Sequence, residues 1–163
     1  MPVRNAQPAD LPRVVEIYNA AIPGRQATAD TTPVTVASRE SWFREFDPQR
    51  RPLWLLERDG VVCGWLSLRS FYGRPAYQAT VEAAVYAAPD VRRTGVGAEL
   101  LAHAIASTPT LSVRTVLAFI FGHNEASLAL FRRFGFADWG KLPRVAELDG
   151  IERDLLILGL RTG

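Results

Sequence analysis

Alternating strand and helix signals predict a mixed α/β (α+β) domain, in which helices flank a twisted central sheet. Two observations carry that expectation. Apolar runs of strand length, bounded by turn residues, recur between segments whose apolar residues repeat at helical spacing. No linker, internal repeat or low-complexity tract interrupts the alternation, so residues 1–163 read as one domain.

A short segment at residues 2–5 leads to Pro8-Ala9-Asp10, where a helix opens. Leu11, Val14, Val15, Ile17 and Tyr18 share one face of it, and Ile22-Pro23-Gly24 ends it. A polar, threonine-rich loop runs from Arg25 to Val36. Ser38 is then the expected N-cap of a helix through Phe46, with Trp42, Phe43 and Phe46 on one face. Leu53–Glu57 and Val61–Arg69 form a hairpin across Arg58-Asp59-Gly60, because Asp-Gly tolerates the positive φ of a tight turn. The loop holding Phe71, Tyr72, Gly73, Arg74 and Pro75 precedes a third run, Ala79–Ala87, which stops at Ala88-Pro89-Asp90. A helix over Val96–Ser107, a buried strand over Thr115–Phe121 and a helix over Asn124–Arg133 follow. Two strands, Ala137–Glu147 and Ile151–Leu160, flank the turn Leu148-Asp149-Gly150 and complete the chain.

Composition narrows the function classes. The 163 residues carry 19 basic against 17 acidic side chains, and 48% are hydrophobic, as in an ordinary globular domain. Of the basic residues only Lys141 is lysine, and the arginines are scattered in ones and twos rather than in a stripe, so nucleic acid is not the expected partner. No signal-peptide core and no 18-residue apolar run is present, so the expectation is a cytoplasmic protein that does not enter membranes. The lone Cys63 cannot form an intramolecular bridge and reads as a small core residue. His123 lies between Gly122 and Asn124, and His103 reads as helix surface. Two isolated histidines without clustered acids or cysteines make no metal site.

The chemistry lies between Thr80 and Ala98. Thr80–Ala87 reads as a strand, Ala88-Pro89-Asp90-Val91 as a turn, and Arg92-Arg93-Thr94-Gly95-Val96-Gly97-Ala98 as a loop entering a helix. Two glycines at a helix start let the backbone fold around a bulky anion, toward which first-turn N–H groups and the helix dipole point. Arg92 and Arg93 add charge-assisted donors. The segment therefore reads as a pyrophosphate cradle, although Gly-x-Gly alone also serves simple turns. The dinucleotide fingerprint fails, with Leu100 at the third glycine position, and no Gly-Lys-Ser/Thr follows for a P-loop.

Arg92-Arg93-Thr94-Gly95-Val96-Gly97-Ala98 resembles the Arg/Gln-x-x-Gly-x-Gly/Ala signature of the GNAT superfamily of acetyl-CoA-dependent N-acetyltransferases. Asn124-Glu125-Ala126-Ser127, with Phe131 and Phe134-Gly135-Phe136, resembles that superfamily's second cofactor segment. More narrowly, Arg74-Pro75-Ala76-Tyr77, Thr80-Val81-Glu82 and Val85-Tyr86 are similar to the phosphinothricin and methionine-sulfoximine acetyltransferase branch. Ile17-Tyr18-Asn19 and the loop Thr28…Thr31-Thr32-Pro33-Val34 fit the same branch, and the likeness spans essentially the whole chain.

The resemblance implies the GNAT acyl-CoA N-acyltransferase fold, acetyl-CoA as cosubstrate and a homodimer. It implies that backbone groups of Val85, Tyr86 and Ala87 pair with the pantetheine arm at a splayed strand. Main-chain N–H groups of Arg93, Thr94, Gly95, Val96, Gly97 and Ala98 would hold the pyrophosphate beside Arg92, and Asn124 and Ser127 would contact the coenzyme. Arg74, Ala76 and Tyr77 would meet an acceptor carboxylate.

Acetyl transfer needs a neutral amine, and a carboxylate of raised pKa suits the removal of its proton. Glu82, inside the apolar run Val81 to Val85, is the candidate base; strand alternation could instead place it on a solvated face. A strand N–H near Val85 is available to an oxyanion. With no well-placed nucleophile, transfer is expected to be direct.

Three departures from the branch stand out. Phe131 replaces the tyrosine or histidine that serves as general acid, leaving Tyr86 or Tyr77 as substitutes. Ala29 and Thr32 stand where the branch carries an aromatic and a glutamate. Glu147–Glu152 replaces a basic-aromatic segment. The function read from the sequence is acetyl transfer to a small, amino-acid-like primary amine. Its alternatives are a non-catalytic acetyl-CoA sensor and a GNAT enzyme acting on a different amine.

Overall fold

A computed structural model describes residues 2–163. One seven-stranded sheet is built from β1 (Val3–Asn5), β2 (Leu53–Arg58), β3 (Val61–Ser70), β4 (Thr80–Ala87), β5 (Thr115–Phe121), β6 (Ala137–Leu148) and β7 (Ile151–Arg161). Their order across the sheet is β1-β2-β3-β4-β5-β7-β6. β4 and β5 are parallel, and all other neighbours are antiparallel. The hairpin turns fall where Asp-Gly predicts them, with φ of 53° and 76° at Asp59-Gly60 and 53° and 78° at Asp149-Gly150.

Helices α1 (Leu11–Ala21) and α2 (Val36–Arg44) cover one face of the sheet, and α3 (Val96–Ser107) and α4 (Glu125–Arg133) cover the other. Covering both faces explains why β2 and β3 read as continuous apolar runs rather than as alternating strands. Val14, Ile17, Leu53, Leu55 and Trp65 form the core beneath α1. Leu56, Leu66, Leu68, Val81, Leu100, Leu101 and Phe131 anchor the larger core beneath α3 and α4. Cys63 lies in that second core, as expected.

Two local expectations shift. The second helix is capped by Thr35, not Ser38. Ser38 is its third residue and completes a capping box, with Ser38 N–H donating to Thr35 Oγ1 at 3.1 Å and Thr35 N–H to Ser38 Oγ at 3.2 Å. His103 is half-buried rather than surface, because its ring meets Trp54 edge-on at 4.8 Å, and this burial lowers its pKa.

Candidate active site

The site begins where two neighbouring strands part. β4 pairs with β5 only from Thr80 to Glu82, opposite Thr115 to Leu117. Beyond that point β4 stays registered with β3 as far as Ala87↔Gly64, while β5 stays registered with β7 as far as Phe121↔Leu155. Each strand follows the twist of its own antiparallel partner, so residues 83–87 lose their strand partner on the β5 side. A cleft of 630 Å³ opens there, walled by Ala83–Tyr86 of β4, Phe119–Phe121 of β5 and the loop Gln26–Ala29.

A second cleft, of 570 Å³, continues from Val85–Ala87 to the start of α3. Gly95 caps that helix at φ 88°, a left-handed conformation that glycine adopts without a Cβ penalty. Glu99 N–H is the first to bond back into the helix, to Gly95 O at 3.0 Å, so the amides of Val96, Gly97 and Ala98 are the free donors of the first turn. Gly64 brings the helix this close to the sheet: a Cβ there would stand 2.6 Å from Val96 Cγ1 and 2.8 Å from Tyr86 O. Arg92 and Arg93, both exposed, line the same cleft.

Not every expected cofactor residue points into this cleft. Thr94 turns away: its N–H donates to Val91 O, its hydroxyl donates to the same carbonyl, and Arg58 donates to its oxygens at 2.8 and 3.0 Å. Arg58 also pairs with Glu99 at 2.7 Å, so it buttresses the loop from outside. Sequence reading missed Arg58, whose role appears only when the β2–β3 turn packs under α3. It also missed Arg133, which lines the cleft from α4. Asn124 and Ser127 border both clefts. Asn124 is already engaged, since its Oδ1 caps α4 through Ser127 N–H at 3.2 Å and its Nδ2 donates to Gln26 O at 3.2 Å.

Three bonds hold the loop 25–27 against the cleft. Besides Asn124, His123 Nε2 meets Arg25 O at 2.7 Å, and Tyr86 donates its hydroxyl to Ala27 O at 3.1 Å. Tyr86 packs edge-on against Tyr18 and at a tilt on Trp65, and burial drives its pKa far up.

Glu82 lies in the wall of the 630 Å³ cleft, half-buried. Burial raises its pKa above the ordinary carboxylate value, and the nearby Arg69 charge partly opposes the rise. Glu82 also lines a smaller chamber of 200 Å³ under α1 and α2. Strand alternation therefore turns it inward, between two cavities, and not toward bulk solvent.

The expected acceptor residues are not in the wall. Arg74, Ala76 and Tyr77 occupy a 3-10 turn at Pro75–Tyr77, outside the main cleft, and Tyr77 reaches it only by packing on Phe71 and Tyr72, which do line it. Among the described residues the Arg74 guanidinium has no hydrogen-bond or ion-pair partner. The fixed φ of Pro75 starts this short turn, with Arg74 as its N-cap, and Pro75 and Ala76 line a separate cleft beside Arg51, Arg114 and Thr162. Phe131 is buried in the cleft wall and supplies no proton. Among the described residues no three histidine, cysteine or acidic side chains gather as a metal site, and no helix is long and apolar enough to cross a membrane.

Comparison with known proteins gives this geometry a context. Residues 12–136 match the family described as "Acetyltransferase (GNAT) family". A Bacillus subtilis protein named "Putative phosphinothricin acetyltransferase YwnH" is 48% identical over 160 residues, which cover 98% of each chain. An L-methionine sulfoximine/L-methionine sulfone acetyltransferase of Pseudomonas aeruginosa is 34% identical over 97% of this chain and 92% of its own. Among solved structures, a GNAT superfamily phosphinothricin acetyltransferase from Sinorhizobium meliloti, in complex with AcCoA, superposes with a TM-score of 0.93 at 28% identity. That match covers 99% of this chain and 88% of the other.

Proposed function

This chain belongs to the GNAT family of acetyltransferases, and from that premise we propose that it moves the acetyl group of acetyl-CoA directly to the primary amine of a small, amino-acid-like molecule, all 163 residues acting as one cytoplasmic domain. The observation that carries the reading is Glu82: a half-buried carboxylate of raised pKa in the wall of the cleft that opens where β4 leaves β5.

Bound acetyl-CoA supplies the thioester electrophile. The chain supplies the rest. Unpaired backbone groups of Val85, Tyr86 and Ala87 offer an added-strand surface to the pantetheine arm. Free amides of Val96, Gly97 and Ala98, with Gly95 setting the turn and Arg92 and Arg93 alongside, hold the pyrophosphate. Asn124 and Ser127 close the wall between the two clefts. Glu82 accepts the ammonium proton, directly or through water, and a strand N–H near Val85 faces the developing oxyanion. The departing thiolate takes its proton from solvent, since Phe131 has none and the Tyr86 proton is committed to Ala27 O. Tyr77, packed on Phe71 and Tyr72, and the neighbouring Arg74 meet an incoming carboxylate outside the wall, while Ala76 lines a separate cleft.

A free-thiol release assay with acetyl-CoA and a panel of amino acids, sulfoximines and simple amines tests the proposal. At least one α-amino acid should raise turnover well above hydrolysis; a panel in which none does overturns the acceptor class.

The edge strand β6 supports a homodimer as well. Trp139, Leu142 and Val145 are exposed on it, and Ile151 beside them on β7, which is an unusual apolar load for a free sheet edge. Sedimentation at micromolar concentration should give twice 18.0 kDa.

A further inference from the structure

The 200 Å³ chamber behind Glu82 is built from three cross-strand pairs whose side chains share one face of the sheet. Arg69 stands opposite Glu82, Ser67 opposite Ala84, and Trp65 opposite Tyr86. The central pair is small, and the gap above it is the chamber. One end is therefore ionic and the other aromatic. Tyr18 of α1 and Trp42 and Arg39 of α2 roof it. At ~30 Å³ per water the chamber holds roughly seven waters, the scale of a small amino acid and not of a peptide.

The charges at the ionic end are unmatched. Directly opposed Arg and Glu in a sheet ordinarily pair, yet among the described residues Arg69 and Glu82 form no ion pair. Arg69 instead leans toward Glu45, with a nitrogen–oxygen distance of 3.8 Å, beyond hydrogen-bond length, between two side chains more than half exposed. The other arginine of the chamber is spoken for: Arg39 bonds Asp30 at 3.1 Å and lies over the Tyr18 ring at 4.9 Å. Arg69 is thus the cation left for a ligand, and Glu82 the anion.

Resting on the acetyl-transfer reading above, we propose that Arg69 is a specificity-determining residue, which holds the acceptor's carboxylate while Glu82 faces the neighbouring ammonium. An α-amino acid carries those two opposite charges one carbon apart, and cross-strand Cβ atoms about 5 Å apart present a matching pair. Its side chain then lies over Ser67 and Ala84 against Trp65, Trp42 and Tyr86. A planar guanidinium binds carboxylate by two parallel bonds, which selects acids over simple amines. This role goes to a residue on the strand floor and not to Arg74 at the cap of the 3-10 turn.

The test compares L-methionine sulfone with its decarboxylated amine, which has the same side chain and nucleophile. Wild type should favour the acid in kcat/KM. Arg69→Gln should lower the acid-to-amine ratio by about tenfold to a hundredfold, the worth of a charge-assisted pair, and Arg69→Lys should restore part of it. Because the ratio is read, any effect of Arg69 on the basicity of Glu82 cancels. Calorimetric Kd values for L-methionine sulfone on CoA-saturated wild type and Arg69→Gln should show the same factor without any turnover.

An unchanged ratio in Arg69→Gln, or no acid preference in wild type, overturns the assignment. An equal loss with both acceptors, together with a shifted acid limb, also overturns it, since Arg69 then acts only through Glu82. Arg69-dependent binding without acetylation refutes the transfer reading and leaves the binding role standing.

Discussion

The two sides of β4 are built by different means. Toward α3 the clefts are made of main chain: a splayed strand edge, a glycine cap and three unpaired amides. Toward α1 and α2 the chamber is made of side chains brought together by register and helix packing, from Tyr18 to Tyr86. Backbone recognition suits a cosubstrate shared by a whole family, because it depends on chain path and tolerates most side chains. Side-chain recognition suits the variable acceptor. Substitutions on the two sides should therefore fail in different kinetic constants.

Glu82 stands between them and should show the largest effect. Glu82→Gln is expected to cut kcat by about a hundredfold to ten-thousandfold, the range for loss of a general base, while acetyl-CoA still binds by calorimetry. The pH profile supplies the sign. The base works deprotonated, and its pKa is raised by burial, so kcat/KM should fall as pH drops through a value above the usual carboxylate range. Arg69 of β3 opposes that rise, and Arg39 of α2, Tyr18 of α1 and Tyr86 of β4 are the other titratable groups lining the chamber. Removing the Arg69 charge should move the acid limb to still higher pH. A limb that stays put in Arg69→Gln breaks the electrostatic link between the two strands.

On the cosubstrate side the expected losses are smaller and confined to acetyl-CoA. Gly95→Val forces a β-branched residue into left-handed backbone, at a cost of at least ~1–2 kcal/mol. Nothing lies within 4 Å of the added Cβ, so the effect is conformational and not steric. The KM for acetyl-CoA should rise about tenfold, with acceptor preference unaltered. A change in acceptor preference would mean that the two sides are coupled through α3.

How much of this was written locally in the chain follows the same division. Val96–Ser107 and Thr115–Phe121 match the expected elements residue for residue, because helical period and apolar run length are local signals. Gly95 and Gly97 marked the cosubstrate side for the same reason. The acceptor chamber was illegible: Arg69 and Glu82 lie 13 positions apart in sequence and meet only through the β3–β4 register, while Arg39 arrives from a helix whose cap was misplaced by three residues. Arg74 carries the carboxylate expectation because it sits in a local motif, and the structure sets it at the N-cap of a 3-10 turn outside the lining of the main cleft. Thr94 is expected to offer its main-chain N–H to the pyrophosphate, and in the fold that N–H donates to Val91 O at 3.3 Å, a turn contact the local motif does not encode.

The smallest effect concerns the loop that joins the two sides. Tyr86→Phe removes one of three bonds pinning residues 25–27, and a single hydrogen bond is worth ~1 kcal/mol net. About a fivefold rise in acceptor KM should follow, with kcat nearly unchanged and little loss of thermal stability, because the ring still packs on Trp65 and Tyr18. Asn124→Ala removes a second pin but also the α4 cap, so it should lower Tm by several degrees, at ~0.5–2 kcal/mol for a lost cap. If Tyr86→Phe instead raised the KM for acetyl-CoA alone, the loop would belong to the cosubstrate side. In that case the division of labour across β4 would have to be drawn on the other side of residues 25–27.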